Sequence, residues 1–279
     1  MSGQTLSLGF SPCPNDTFIF HALVHGLIDT GDLAFRTQLA DVETLNAMAA
    51  DGALDVTKVS VGALPWLLEE YVPLRSGGAV GRGCGPLIVA REAFPVEELD
   101  GKSVAIPGRM TTANLLFRLL RPAAAPGVEM EYNRIMPAVA GGEVDAGLII
   151  HESRFTYRDH GLTCIVDLGE WWEETTGSPI PLGAIIARRS LGKRIGEIER
   201  MIRSSVEYAF ANPTHSSDYV KANAQEMSPE VTRRHIELYV NDFSRDLGPE
   251  GELAVRELAE RAAASGLIPA GLEILQPAE

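Results

Sequence analysis

The chain has 279 residues, 45% of them hydrophobic and 22% charged, with a formal net charge of −14. Such a length suits one large α/β domain or two lobes, and the balance is that of a globular protein. A broad negative surface repels phosphate backbones and anionic lipid, which argues against nucleic acid and membrane as partners and leaves a small anion held in a local pocket of donors.

Residues 4–10 read as a first strand. Ser11-Pro12-Cys13-Pro14-Asn15-Asp16 breaks it, and Asp16 is the expected N-cap of an apolar helix from Thr17 to about Leu27. A strand over 33–40, a helix from Val42 to Ala50 and a strand from Leu54 to Val59 follow, with Ser60 placed to cap the next helix. This alternation predicts a largely parallel sheet covered on both faces. The pattern then restarts with a strand at Leu87–Ala90 and another at Ser103–Ile106. The turn Pro107-Gly108-Arg109-Met110-Thr111-Thr112 leads into a helix through Leu120. A strand from Val144 to Ile150 ends at His151, and Leu182–Ala187 is a further apolar strand. Beyond Leu191 the chain reads as helices near 193–211, 215–225, 229–241 and 249–264.

Gly52-Ala53-Leu54-Asp55-Val56 and Gly142-Glu143-Val144-Asp145-Ala146 share one layout, a helix end followed by Gly-x-x-Asp and a strand. Two lobes of similar build would explain it, and so would chance agreement between two common turns. The strands near 87–90 and 183–187 are natural crossovers. The expected division is a larger discontinuous lobe, 1–87 plus 183–279, and a smaller inserted lobe, 88–182. Ligands of open α/β sheets bind beyond the carboxyl ends of the strands, and in a two-lobed protein those ends face one cleft.

Several familiar signatures fail. Gly81-Arg82-Gly83-Cys84-Gly85-Pro86 precedes a strand and is no dinucleotide loop, Gly101-Lys102-Ser103 lacks the first glycine of a P-loop, and His151-Glu152 lacks the second histidine of a zinc-protease helix. His21 and His25 are spaced i,i+4 but have no third ligand, so packing or plain surface placement is the better reading. Cys13, Cys84 and Cys164 are odd in number and far apart, giving neither a disulfide framework nor a zinc knuckle. The first ten residues lack the basic start and long apolar run of a secretory signal, and no stretch is apolar enough to span a bilayer. A reduced cytoplasm is the expected location.

The strand ends supply the candidates. Asn15, Asp16 and the run Lys58-Val59-Ser60 either cap helices or contact a ligand. Thr111 and Thr112, with Arg109 nearby, open a helix whose free N–H groups and dipole suit a carboxylate, although capping alone explains one threonine. His151 ends an apolar strand, where partial desolvation keeps an imidazole near neutral, as a general base requires. A backbone-bonded histidine at a strand end is the alternative. Glu152, Arg154 and Tyr157 could orient the ring or anchor substrate. Of Trp171 and Trp172, at least one is expected at the cleft or a helix junction.

The segments Ser11–Phe18, Pro107–Ala113, Gly147–Phe155 and Gly169–Thr175 closely resemble the 1,4-dihydroxy-6-naphthoate synthase (MqnD) family of the futalosine route to menaquinone. The resemblance runs from about residue 5 to about 265. It implies an α/β, two-lobed type II periplasmic-binding-protein-like fold with a ligand cleft between lobes. It also implies a lyase that splits cyclic dehypoxanthinyl futalosine into 1,4-dihydroxy-6-naphthoate and a three-carbon sugar fragment, dihydroxyacetone. No metal and no organic cofactor are implied. On this resemblance His151 is the catalytic base, and Lys58–Ser60 with Thr111 and Thr112 contact the substrate; Asn15, Asp16 and Arg154 are further candidate contacts. The expected partner is a small carboxylate substrate and the expected state a monomer or homodimer. Alternatives are chorismate dehydratase, of the same pathway and general fold, and a non-catalytic small-anion binding protein.

Overall fold

The structure, a computed structural model, describes residues 4–224 and 228–271. Five strands open the chain: β1 (Gln4–Phe10), β2 (Leu33–Leu39), β3 (Val56–Ser60), β4 (Tyr71–Pro73) and β5 (Ala79–Gly81). Five more, β6 (Leu87–Ala90), β7 (Val104–Ile106), β8 (Val128–Glu129), β9 (Ala146–Ile149) and β10 (Thr163–Asp167), form a separate second sheet in the order β10-β6-β9-β7-β8. The chain then returns to the first sheet through β11 (Ile180–Arg188), giving the order β2-β1-β3-β11-β4, with β5 also on β11. Two sheets with helices around them make a mixed α/β protein of two lobes.

The sheets are less parallel than the alternating pattern predicts. β1, β2 and β3 run parallel, but β11 lies antiparallel against β3, β4 and β5. In the second sheet β6 is antiparallel to both β9 and β10, while β7 pairs parallel with β8 and β9. The crossing segments cause this. β6 and β11 each enter a sheet from the other lobe, without the helical return that a parallel neighbour requires.

The Gly-x-x-Asp echo is a true structural repeat. Asp55 accepts hydrogen bonds from the backbone N–H and hydroxyl of Ser7, and its own N–H donates back to Ser7 Oγ. Asp145 makes the same three bonds with Ser103. Each aspartate thus locks the start of one strand to its parallel neighbour. Gly52 and Gly142 end the preceding helices with φ of 62° and 75°, a left-handed turn that glycine adopts without penalty.

β3 and β9 are buried along their whole length, as strands covered on both faces must be. Leu6, Leu8 and Phe10 of β1 pack with Ile198, Ile202 and Val206 of the long helix Arg194–Ala211. That helix, Ser217–Asn223, Pro229–Tyr239 and Gly248–Ala264 stand close to the four expected C-terminal helices. The expected end of the second of these, at 225, lies outside the described residues. The helix Tyr132–Gly141 contains Pro137 and the helix Leu168–Thr176 holds both adjacent tryptophans; the sequence pattern predicts neither. Among the described residues no helix is long and apolar enough to cross a membrane. The lobes touch through Thr112, whose hydroxyl accepts from Gly62 N–H and donates to the Leu182 carbonyl, and through Met110 N–H, which donates to Glu43.

Candidate active site

A cavity, open at its mouth, lies between the two sheets. Asn15, Asp16, Lys58, Val59 and Ser60 line it from the first lobe, and Thr111, Thr112 and His151 from the second. These residues lie at or just past strand ends, Lys58–Ser60 being the last three of β3, and they meet because both sheets turn those ends toward the same space. Arg154 does not line the cavity. Its guanidinium donates to the Gly85 carbonyl and pairs with Asp167, so it fastens loops of its own lobe.

The first lobe contributes a buried charge pair. The helix that follows β1 is Pro14–Val24, with Cys13 at the N-cap and no side-chain cap. Proline fits the first helical position, since its missing N–H would have no helical partner there. Asp16 is therefore inside the first turn and is not the cap. Its carboxylate is 2% exposed and accepts from Ser11 N–H, Ser11 Oγ, Asn15 Nδ2 and Lys58 Nζ, the last at 2.9 Å. Lys58 Nζ also donates to the Gly77 carbonyl at 3.0 Å. Both charges are desolvated and hydrogen-bonded, the condition under which a buried pair is tolerated. Ser60 sits at the N-cap of a short 3₁₀ turn, Val61–Trp66, but makes no capping bond; it pairs instead with Asn46, through its N–H to Oδ1 and its Oγ from Nδ2.

His151 follows β9 in a left-handed backbone conformation, φ 56°, the single non-glycine case of positive φ among the described residues. A non-glycine residue held there costs backbone energy, and such residues cluster at functional sites. Its Nδ1 lies 3.0 Å from Cys13 Sγ. Burial lowers the His151 pKa, opposed by the Glu152 carboxylate, which favours the charged ring. Burial also pushes the Cys13 thiol well above its ordinary range, so the sulfur keeps its proton. With Nδ1 turned to Cys13, Nε2 is the nitrogen left for a ligand, and a base at Nε2 uses the tautomer in which Nδ1–H faces the sulfur. Tyr132 packs beside the ring, its hydroxyl held far above the usual range by burial.

Thr111 caps the helix Thr112–Leu120: its hydroxyl accepts from Asn114 N–H and donates to the Gly108 carbonyl. Its hydroxyl is therefore engaged locally. What faces the cavity from this terminus is the first turn itself, where the N–H groups of Thr112 and Ala113 have no intrahelical acceptor. Arg109 points away, 79% exposed and paired with Glu129, and adds nothing to an anion site. Thr111→Val is expected to destabilise the protein by about 1 kcal/mol through the lost cap, with Thr111→Ser close to wild type. Urea denaturation of the two variants checks this, and equal stability of the Val variant would refute it.

Other expectations resolve more simply. Trp172 is fully buried and donates to the Pro179 carbonyl, Trp171 is partly exposed, and neither lines the cavity. His21 and His25 pack against each other with tilted rings and meet Tyr219, in keeping with a packing role. Cys13, His151 and Glu152 bring ligand-type atoms within 4.8 Å, the one such grouping among the described residues.

Sequence reasoning misses three residues of the site. Cys13 enters it as part of the turn after the first strand, with the disulfide and zinc readings rejected and no role at the site assigned. His235 and Tyr239 line the cavity from the helix Pro229–Tyr239. Their signal is in the spacing: positions 235 and 239 share the inward face, so a histidine there has no solvent to explain it.

A family profile described as menaquinone biosynthesis matches residues 6–264. The 1,4-dihydroxy-6-naphthoate synthase of Thermus thermophilus is 55% identical over 265 residues, 95% of this chain and 96% of that protein. The enzyme of the same name from Streptomyces coelicolor is 51% identical over 276 residues, 97% of each. Among solved structures, a protein from Archaeoglobus fulgidus is 38% identical with a TM-score of 0.88, covering 95% of this chain and 98% of that one. The periplasmic aliphatic sulphonate binding protein of Escherichia coli superposes with a TM-score of 0.68 at 15% identity, covering 100% of this chain and 94% of that one; this shows the shared binding-protein fold.

Proposed function

The chain belongs to the menaquinone biosynthesis family, and from that membership we propose that it cleaves cyclic dehypoxanthinyl futalosine to 1,4-dihydroxy-6-naphthoate and dihydroxyacetone. The observation that carries the reading is His151, an imidazole held neutral by burial at the wall of a cavity between the lobes. The substrate carboxylate lies on the N–H groups of Thr112 and Ala113, and His151 Nε2 removes a substrate hydroxyl proton. The alkoxide electrons form a carbonyl as the carbon–carbon bond breaks, and the electron pair released moves into the ring system that becomes aromatic. Glu152 favours the imidazolium formed on the way. General-base assistance contributes about 10²–10⁴-fold, and orientation in the cavity supplies much of the rest. The Lys58–Asp16 pair acts as a rigid floor. Reaction in the cytoplasm is part of this reading, as the compartment of a biosynthetic step on a small polar substrate.

Purified protein supplied with cyclic dehypoxanthinyl futalosine is expected to release the naphthoate. The fold is shared with proteins that only bind, so tight binding without turnover would favour a small-anion binding protein, and turnover of chorismate would favour the dehydratase. The pH profile tests the base separately. Burial lowers the His151 pKa from 6.5, so the unprotonated ring persists as pH falls through the ordinary histidine range. The acid limb of kcat/KM is expected below 6.5. A limb centred above that value would contradict a desolvated histidine base.

A further inference from the structure

His235 is 1% exposed at the wall of the cavity, its ring centroid 4.7 Å from that of Tyr239 and 6.3 Å from that of His151. A chain of hydrogen bonds fixes which of its nitrogens carries the proton. Lys58 has donors only, and the Asp16 carboxylate beside it can only accept. Asn15 therefore turns its Nδ2 to Asp16, at 2.9 Å, and its Oδ1 to His235 Nε2, also at 2.9 Å. That oxygen accepts, so Nε2 holds the hydrogen. Burial, with His151 nearby, pushes the His235 pKa well below its ordinary value, and a neutral ring has one N–H. Nδ1 is left as a bare lone pair, and it is buried with no hydrogen-bond partner among the described residues. Buried acceptors are rarely left so, and each calls for an explanation; this one belongs to a ring that lines the cavity.

We propose that His235 is a further substrate-binding residue, whose Nδ1 accepts a hydrogen bond from a hydroxyl of a polyhydroxylated carboxylate in the cavity. This rests on the substrate reading above. The nearness of the two rings lets His151 and His235 address neighbouring oxygens of one molecule: His151 takes a proton, and His235 holds a hydroxyl in place without taking one. The preset tautomer makes the site selective for a donor at that point. A ligand lacking the hydroxyl would leave Nδ1 unpaired and desolvated.

Two substitutions separate this role from a structural one. His235→Gln keeps an N–H where Nε2 meets Asn15 and removes the acceptor at Nδ1. His235→Asn keeps an acceptor near Nδ1 and gives up the bond to Asn15. The expected result, with cyclic dehypoxanthinyl futalosine as the probe, is a loss of about tenfold in kcat/KM for the Gln variant, the scale of one hydrogen bond left unmade. The Asn variant should lose clearly less kcat/KM than the Gln variant while melting at a lower temperature than wild type. A Gln variant at wild-type kcat/KM, an Asn variant worse than Gln, or equal losses in both would overturn the proposal while leaving the reaction intact. A wild-type protein that fails to turn the substrate over would remove the reaction and this role together.

Discussion

Replacing His151 by Asn is expected to lower kcat by about 10²–10⁴-fold and to leave the fold and substrate binding close to wild type. Backbone geometry decides the choice of residue. At φ 56° an alanine has no polar side chain to offset the left-handed backbone cost of about 1–2 kcal/mol, so a loss of activity could be blamed on the turn. Asparagine is among the side chains that accept this conformation, and it has no basic nitrogen. The rate should fall with KM little changed, the pattern of a group that acts in the transition state. A kcat within a few-fold of wild type would take His151 out of the mechanism. The left-handed residue also explains why β9 ends where it does: the turn at His151 stops the strand and brings the ring against Cys13.

The second large effect concerns stability. Lys58→Met leaves the Asp16 carboxylate buried without its cation, and breaking a buried pair in this way costs about 3–5 kcal/mol. Asp16 is tied to Ser11 and Asn15, so the loss should also loosen the cavity wall and lower activity in whatever protein remains folded. Chemical denaturation reads the first effect directly. Arg233→Ala is the control. It removes ion pairs to Glu230 and Glu237 that stand in solvent, and stability should not measurably change. A Lys58→Met variant as stable as that control would show that the pair contributes nothing.

Much of this site can be read from sequence because the physics is local. A strand that ends in a polar residue before a helix projects that residue toward the ligand side of an α/β sheet. Asn15, Lys58, Ser60, Thr111 and His151 all follow from that rule. What fails depends on longer range. Asp16 looks like a cap until Pro14 is recognised as the first helical residue, which frees the carboxylate to meet Lys58, 42 positions away. Arg154 lies one helical turn past His151, yet Gly85 and Asp167 claim its guanidinium, and no local pattern announces either partner. His235 approaches Asn15 from 220 residues further along the chain, on a helix that closes the cavity only once the chain has returned to the first sheet. The mixed strand directions have the same origin, since β6 and β11 are crossings between lobes, and periodicity carries no sign of direction.

The repeat at Asp55 and Asp145 is the opposite case. Two five-residue segments with little in common beyond Gly-x-x-Asp make the same three bonds to a serine on the neighbouring strand or just before it. Spacing preserves what residue identity does not, because one carboxylate at the strand start accepts from both the N–H and the hydroxyl of a serine next to it.

The central claim is that one molecule spans the cavity, carboxylate on the Thr112 terminus and reacting hydroxyl on residue 151. A crystal structure of the His151→Asn variant with cyclic dehypoxanthinyl futalosine tests it most directly. The expected density places the carboxylate within hydrogen-bond distance of the Thr112 and Ala113 N–H groups and a substrate hydroxyl against the amide that replaces the imidazole. Substrate bound in the separate groove beside Val220 and Ile236, or in the cavity with its carboxylate on Lys58 and no hydroxyl near residue 151, would contradict the account.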